Sequence, residues 1–334
     1  MATFDVAVFR TNRIYVDDLI MAEPEIRERT ELGHELSIEP LPQNLLAKIV
    51  AAYVPVCMQG APDNTRTLYA FIRRTTAPSA LFDSDGTLAI ALALSRLVHP
   101  TSIGLEESAR VVTTGSGLTF ENNLSVSPGL NQGPASMAWV IDESQRDWLT
   151  ASDGLELTGL VDRYFAEPLT GSLLRALWHH EFAARNSDMA IRWAIVVTGL
   201  ESLINTGEPR VARQFTERVT ALAEGCGLTI SPSDVADAYR QRSKVVHGHV
   251  VGYDAAKKQL YREVEEILGA AISKALLDHD WRSVFDNKAT VKTRWPVDTT
   301  VLCPHCGLDT NSRAPGRPPW YVRIAHRIAG LGTQ

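Results

Sequence analysis

Apolar residues recur at two different spacings along this chain. In the first 150 or so residues they come in short runs. Residues 5–10 alternate polar and apolar, the pattern of a half-buried strand. Residues 69–73, 117–126 and 137–141 read as short strands bounded by Gly, Pro, Asn and Ser. Residues 44–54 have helical spacing, as do 88–98, where Asp85 or Thr87 is the expected cap. Residues 23–31 are charged and read as helical or exposed, and the turn formers of 125–134 predict a surface loop. No repeat with a period of roughly 20–50 residues is present, which excludes a solenoid.

After about residue 150 the spacing becomes helical and stays so. Leu155, Leu157, Leu160, Val161, Tyr164 and Phe165 predict a helix over 155–169. Leu173, Leu174, Ala176, Leu177 and Phe182 predict another over 171–185. Ser187 and Asp188 cap a long apolar helix over 189–205. The helix over 211–225 ends at a glycine. Ser231-Pro232 opens the next, which runs through Val235, Ala238, Tyr239, Val245 and Val246 and stops at Gly248. Asp254 begins a last long helix through Leu260, Val264, Ile267, Leu268, Ile272 and Leu276. From 287 the pattern stops, and Pro296, Pro304, Pro315, Pro318 and Pro319 interrupt the tail. Three regions follow: a mixed α+β domain over 1–149, an all-α helical bundle over 150–286, and a basic Pro-rich tail over 287–334.

The composition narrows the class. Hydrophobic residues make up 45% of the 334 and charged residues 22%, which excludes a disordered or collagen-like chain. Four cysteines are too few for a disulfide framework, and no secretory signal is evident at the start, so a cytoplasmic location is expected. The longest apolar run, 88–98, carries Ser95 and Arg96 and is too short to span a bilayer, so no membrane partner is expected. The net charge of −6 excludes a generally basic nucleic-acid binder. It is unevenly spread: residues 1–60 hold nine acids against five bases, and residues 288–334 hold seven bases against two acids.

The richest segment chemically is Tyr239-Arg-Gln-Arg-Ser-Lys-Val-Val-His-Gly-His249. Arginine keeps its charge and offers a fork of donors to a phosphate. Histidine titrates near neutrality and serves as acid or base. Arg242 and His247 together therefore suit phosphodiester cleavage without a metal, with an RNA 2′-hydroxyl attacking. Five residues turn a helix by about 140°, so one helix does not set the two side by side. Two such helices meeting across a dimer axis can. A plainer reading is also open, in which basic residues and a histidine complement the helix end.

The segment resembles the Arg-x(4–6)-His signature of the HEPN superfamily, and among its subtypes the Apea-like HEPN domain. Trp193-Ala-Ile-Val-Val-Thr-Gly-Leu-Glu-Ser-Leu-Ile204 looks like that family's long apolar helix with its Leu-Glu-Ser-Leu core. The resemblance covers roughly 150–285. It implies an all-α HEPN bundle acting as a homodimer, with a metal-independent endoribonuclease cleft between two Arg-x-His helices and no cofactor for catalysis. Arg242 would bind and polarise the scissile phosphate, and His247 would shuttle protons. Tyr239, Ser243, Glu201 and His249 are the supporting residues. Ser243 stands where active members often have Asn, Asp or His. Such domains recur in toxin–antitoxin and phage-defence systems, so RNA and an antitoxin or regulatory partner are the expected partners. Other members bind nucleotides or RNA, or dimerise, without cutting.

Glu201 lies within an apolar helix and is expected to pair or to face solvent, with Arg242 as the functional partner. Arg240, Lys244, Lys257, Lys258 and Arg262 form a local basic excess that can guide RNA. Cys303 and Cys306 are half of a four-ligand structural zinc site, which His305, His326 or a second tail could complete. Trp295, Trp320 and Tyr321 alternate with arginines and suit either base stacking or a docked tail. Asp83-Ser-Asp-Gly-Thr87 resembles a dehalogenase-type phosphatase motif but lacks a strand before it. His179-His180-Glu181 lacks the histidine pair of zinc proteases, and there is no Walker A loop or GxGxxG.

Overall fold

The structure is a computed structural model. It describes residues 2–11, 29–40, 69–75, 86–100, 103–114, 117–120, 149–186, 188–207, 210–249, 252 and 254–297. The strands are β1 (Ala2–Thr11), β2 (Thr30–Gly33), β3 (Leu36–Pro40), β4 (Tyr69–Thr75), β5 (Ile103–Thr114) and β6 (Gly117–Phe120). Helix α1 (Thr87–Val98) separates β4 from β5. The remaining helices are α2 (Ala151–Ala166), α3 (Gly171–Ala184), α4 (Met189–Ile204), α5 (Val211–Gly225), α6 (Pro232–Val246), α7 (Ala255–Leu277), α8 (His279–Ser283) and α9 (Lys288–Arg294).

The strands form one antiparallel sheet in the order β2-β3-β4-β1-β5-β6. The first strand of the chain is thus central, paired with β4 through Val6–Ile72 and with β5 through Val6–Ala109. Strands β3 and β5 are additions to the sequence reading. Residues 103–114 carry Glu106, Glu107, Ser108 and Arg110 in one run, so no two-residue alternation announces β5. Residues 30 and 31, read as helical or exposed, begin β2 instead. The predicted helix at 44–54, the strand at 137–141 and the loop at 125–134 lie outside the described residues. Of the strand read over 117–126, only 117–120 is described.

The β2–β3 hairpin lies against α2. Leu32, Leu36 and Ile38 are buried in the same apolar cluster as Leu157, Leu160 and Val161. Thr158 Oγ1 donates to Glu31 O at 3.2 Å, and His34 Nε2 lies 3.4 Å from Asp162 Oδ1. Helix α1 joins that cluster through Leu88, Ile90, Leu92 and Leu94. Described residues on both sides of 149/150 share this cluster. Gly86 is the N-cap of α1, without a side-chain cap, and Thr87 is its buried first residue, so the capping expected from Asp85 or Thr87 is replaced by backbone.

The bundle follows its sequence pattern closely at its starts. Asp188 accepts from Ala190 N and Ile191 N, Ser231 from Asp234 N, and Asp254 from Lys257 N. Three inferred apolar positions differ: Leu155, Phe182 and Val246 are exposed. The helix over 211–225 ends at Gly225 as read, and the Trp281 ring lies 2.5 Å from where a Cβ on that glycine would be. The helical pattern also continues past 287. Asn287 caps α9, whose Val291 and following Trp295 are buried. Trp295 packs edge-on to Trp281 at 5.7 Å and beside Phe285 at 5.9 Å. Arg218 fastens it, donating Nε–H to Trp295 O at 3.0 Å and Nη1–H to Ile204 O at 3.0 Å. Trp295 is thus a core residue, not a base-stacking platform. Trp320, Tyr321, Cys303, Cys306, His305 and His326 lie outside the described residues.

Charge is also buried in the bundle. Arg96 of α1 lies 2.9 Å from Glu181 of α3, with both side chains almost wholly enclosed. Arg185 holds the other oxygen of Glu181 at 2.5 Å. Beside them Arg192 reaches the Tyr261 hydroxyl at 3.3 Å and Glu265 at 3.5 Å, and Tyr261 donates to Glu265 at 2.8 Å. His180 is buried near these groups, and burial lowers its pKa despite Glu265 and Glu181.

Among the described residues no helix is long and apolar enough to cross a membrane.

Candidate functional site

Helix α6 brings the signature residues to the surface of the bundle. Its inward stripe is Val235, Ala238, Arg242 and Val245, at spacings of three and four. Val235 and Ala238 are fully buried, and Trp193 Nε1 of α4 donates to Ala238 O at 2.8 Å, which fixes α6 on α4. One turn later the apolar stripe gives way to Arg242, half-buried, whose guanidinium meets the last turn of α4.

There Arg242 Nη2 donates to Glu201 Oε2 at 2.9 Å. The side chains are 26% and 13% exposed, so the pair is reachable from solvent yet substantially desolvated. Tyr239, three residues before Arg242, lies close to Glu201 and against Phe215 at 5.0 Å. Burial, followed by the Glu201 charge, raises the Tyr239 pKa, with Arg242 opposing. Tyr239 therefore keeps its proton beside the carboxylate. Arg242 Nε is buried without a hydrogen-bond partner. The guanidinium thus keeps donor capacity beyond its bond to Glu201.

Helix α6 ends at Val246, before the Gly248 expected from sequence, and His247 is its C-cap. Gly248 has φ +77, and its N–H bonds Val245 O at 2.9 Å while His249 N–H bonds Lys244 O at 3.0 Å. This paired closure is a Schellman cap made wholly of backbone. It leaves the His247 and His249 rings exposed. His247 is thus held at a helix end by its own main chain while its imidazole faces solvent. Arg242 is turned the other way, to α4. Ser243 is half-buried beside it.

The expected RNA-guiding cations are less uniform. Arg240 is engaged by Asp237 at 2.7 Å, Lys257 by Asp254 at 3.6 Å, and Arg262 donates to Gln259 at 2.5 Å. Lys244 and Lys258 are exposed. The structure therefore gathers Tyr239, Arg242 and Glu201 into one contact set, puts Ser243 on its border, and sets His247 and His249 apart at the helix end.

Sequence reasoning missed the polar surroundings of Glu201. The carboxylate also borders a cleft of about 470 Å³ among the start of α3, the end of α4 and the start of α9. Its walls include Arg175, Ser202 and Lys288. Lys288 enters only because α9 docks on the bundle, where the sequence suggested an irregular tail. The buried pair Arg96–Glu181 was likewise not anticipated. Among the described residues no group of three or more His, Cys, Asp or Glu side chains is arranged to hold a metal.

No family model, curated protein or solved structure matches this chain.

Proposed function

We propose that this protein is a HEPN-type endoribonuclease that cuts RNA by 2′-hydroxyl attack, with Arg242 and His247 as its catalytic residues and two chains sharing the cleft. The carrying observation is the pair of environments along one helix end. Arg242 is held by Glu201 at 2.9 Å through Nη2 while its side chain stays partly exposed, and His247 is exposed on a backbone cap. A scissile phosphate takes the remaining guanidinium donors, which stabilise charge on its nonbridging oxygens. Neutral His247 accepts the 2′-hydroxyl proton, and an imidazolium donates a proton to the departing 5′-oxygen. The products are a 2′,3′-cyclic phosphate and a 5′-hydroxyl. Glu201 and Tyr239 position Arg242. The roughly 140° between the two residues on one helix favours a site completed by a second copy. A role in toxin–antitoxin or phage defence, with an antitoxin or regulatory partner, goes with this reading.

The test is cleavage of total RNA and tRNA by the full chain in EDTA, beside Arg242→Ala and His247→Ala. Cutting that leaves 2′,3′-cyclic ends and disappears in both variants is expected. Intact RNA with the wild type, or equal cutting by the variants, overturns the reading in favour of a non-catalytic nucleotide- or RNA-binding or dimerising module.

A further inference from the structure

The cleft that Glu201 lines is not used by the chemistry above. Its volume of about 470 Å³ falls within the range of roughly 300–1,000 Å³ typical of small-ligand sites. Three elements build it, and each contributes a different group. Helix α3 brings Arg175 and Ser172, α4 brings Glu201 and is followed by Asn205, and α9 brings Lys288. Arg175 and Lys288 are both exposed on this rim, and among the described residues neither enters an ion pair. Elsewhere on the bundle Arg185, Arg213, Arg240 and Arg282 are each matched by a nearby acid. Among the described residues Lys244 and Lys258 are likewise without an ion pair, but Arg175 and Lys288 line one hollow from different elements, which suits an anion.

The remaining groups narrow the anion. Asn205 Oδ1 already accepts Gly207 N–H at 2.7 Å, which leaves its amide N–H groups to donate. Asp286 on the same rim accepts, as a sugar hydroxyl or an exocyclic amine requires. A phosphate flanked by donors and an acceptor in a hollow of this size describes a nucleotide. Glu201 forms part of the inner wall, and the same carboxylate holds Arg242. One residue, Glu201, therefore both lines the cleft and holds the guanidinium.

We infer that this cleft receives the nucleotide adjoining the scissile phosphate of single-stranded RNA, with Arg175 and Lys288 on its phosphate. The inference rests on the ribonuclease reading for its choice of RNA. Arg175 and Lys288 are binding residues and take no part in the proton transfers.

The test uses the full chain and a 2′-O-methyl RNA octamer, which binds but cannot be cut. The Arg175→Ala/Lys288→Ala variant is expected to bind it at least tenfold more weakly, and its plot of log affinity against log salt is expected to be shallower by about 1. Arg175→Lys/Lys288→Arg retains most of the affinity. For natural RNA, KM rises by a larger factor than kcat falls. Unchanged melting temperatures establish that the variants are folded. A parallel titration with 5′-AMP separates a strand from a free nucleotide. Weaker 5′-AMP binding than octamer binding, with an octamer affinity that drops in Arg242→Ala, is expected. Wild-type cleavage combined with unchanged octamer affinity in the double alanine variant overturns the inference and leaves the nuclease standing. Tight 5′-AMP binding with no effect of Arg242→Ala on the octamer overturns it as well. No cleavage, with octamer affinity still lost in the double variant, removes the nuclease and keeps the cleft as a nucleotide site.

Discussion

Helix α4 carries an Arg–Tyr–Glu cluster at each end, and the two differ mainly in burial. At its start, Arg192 meets Tyr261 and Glu265 of α7, with the charged side chains 4% and 7% exposed. At its end, Glu201 meets Tyr239 and Arg242 of α6, with the charged side chains 13% and 26% exposed. In the first, Tyr261 bridges the two charges, hydrogen-bonding both Arg192 and Glu265. In the second, the Arg242 guanidinium holds Glu201 through Nη2 alone, and its side chain stays partly open to solvent. The same three residue types thus make a structural clamp where water is excluded, and a candidate ligand site where it is not. Desolvation sets the difference: a buried charge must be matched within the fold, whereas a half-exposed one can exchange its partner for a ligand.

The largest effect is expected at the buried Arg96–Glu181 pair beside the clamp. Glu181→Gln leaves Arg96 buried without its countercharge and should cost about 3–5 kcal/mol in urea denaturation. The double variant Arg96→Met/Glu181→Leu should recover most of that loss. A cost for Glu181→Gln below about 1 kcal/mol would show that this cluster does not hold α1 to the bundle.

The two tyrosines give the direct comparison. Tyr261→Phe strands buried partners and should destabilise by about 1–3 kcal/mol, whereas Tyr239→Phe should cost less than about 1 kcal/mol. Equal losses in the same denaturation assay would erase the distinction between the clusters.

Acid should find the clamp as well. Burial depresses the His180 pKa below its ordinary 6.5, so the folded state holds it neutral while the unfolded chain takes up a proton. This contribution is fully present above pH 6.5 and is lost as pH falls below it, with a slope of at most about 1.4 kcal/mol per pH unit. Melting curves from pH 7 to 5 should be flatter for His180→Gln than for the wild type. Parallel slopes would mean that His180 is not the group responsible.

The smallest stability change is expected at the open cluster. Arg242→Ala should lose only about 0–1 kcal/mol, since the pair remains partly solvated. Cleavage should nonetheless vanish. Activity surviving in a folded Arg242→Ala protein would make the open cluster as structural as the clamp.

Much of the bundle was legible because helix signals are local. The caps at Asp188, Ser231 and Asp254 and the Pro232 start are each decided within a few residues. The strand at 69–73 was equally plain. Helix α9 was not, because Val291 is the one apolar residue besides Ala289 between Lys288 and Arg294, too few to show a period. Its Asn287 cap was readable, but its docking depends on Arg218 and Trp281, which lie far away in the chain. At the candidate site, residue types and spacing singled out Arg242, His247 and Glu201. The exposure of His247 required the backbone cap after Val246 to be seen.

The sequence alone determined where most of the helices run and how several begin, because turn-length hydrogen bonding and apolar spacing are properties of neighbours. It also named the residues able to carry phosphate chemistry. Only the tertiary structure decided which charges meet. Arg96 finds Glu181 across 85 positions, and Arg242 finds Glu201 across 41. Such pairings depend on how helices pack, and the depth of that packing enclosed the first pair and left the second open to a ligand.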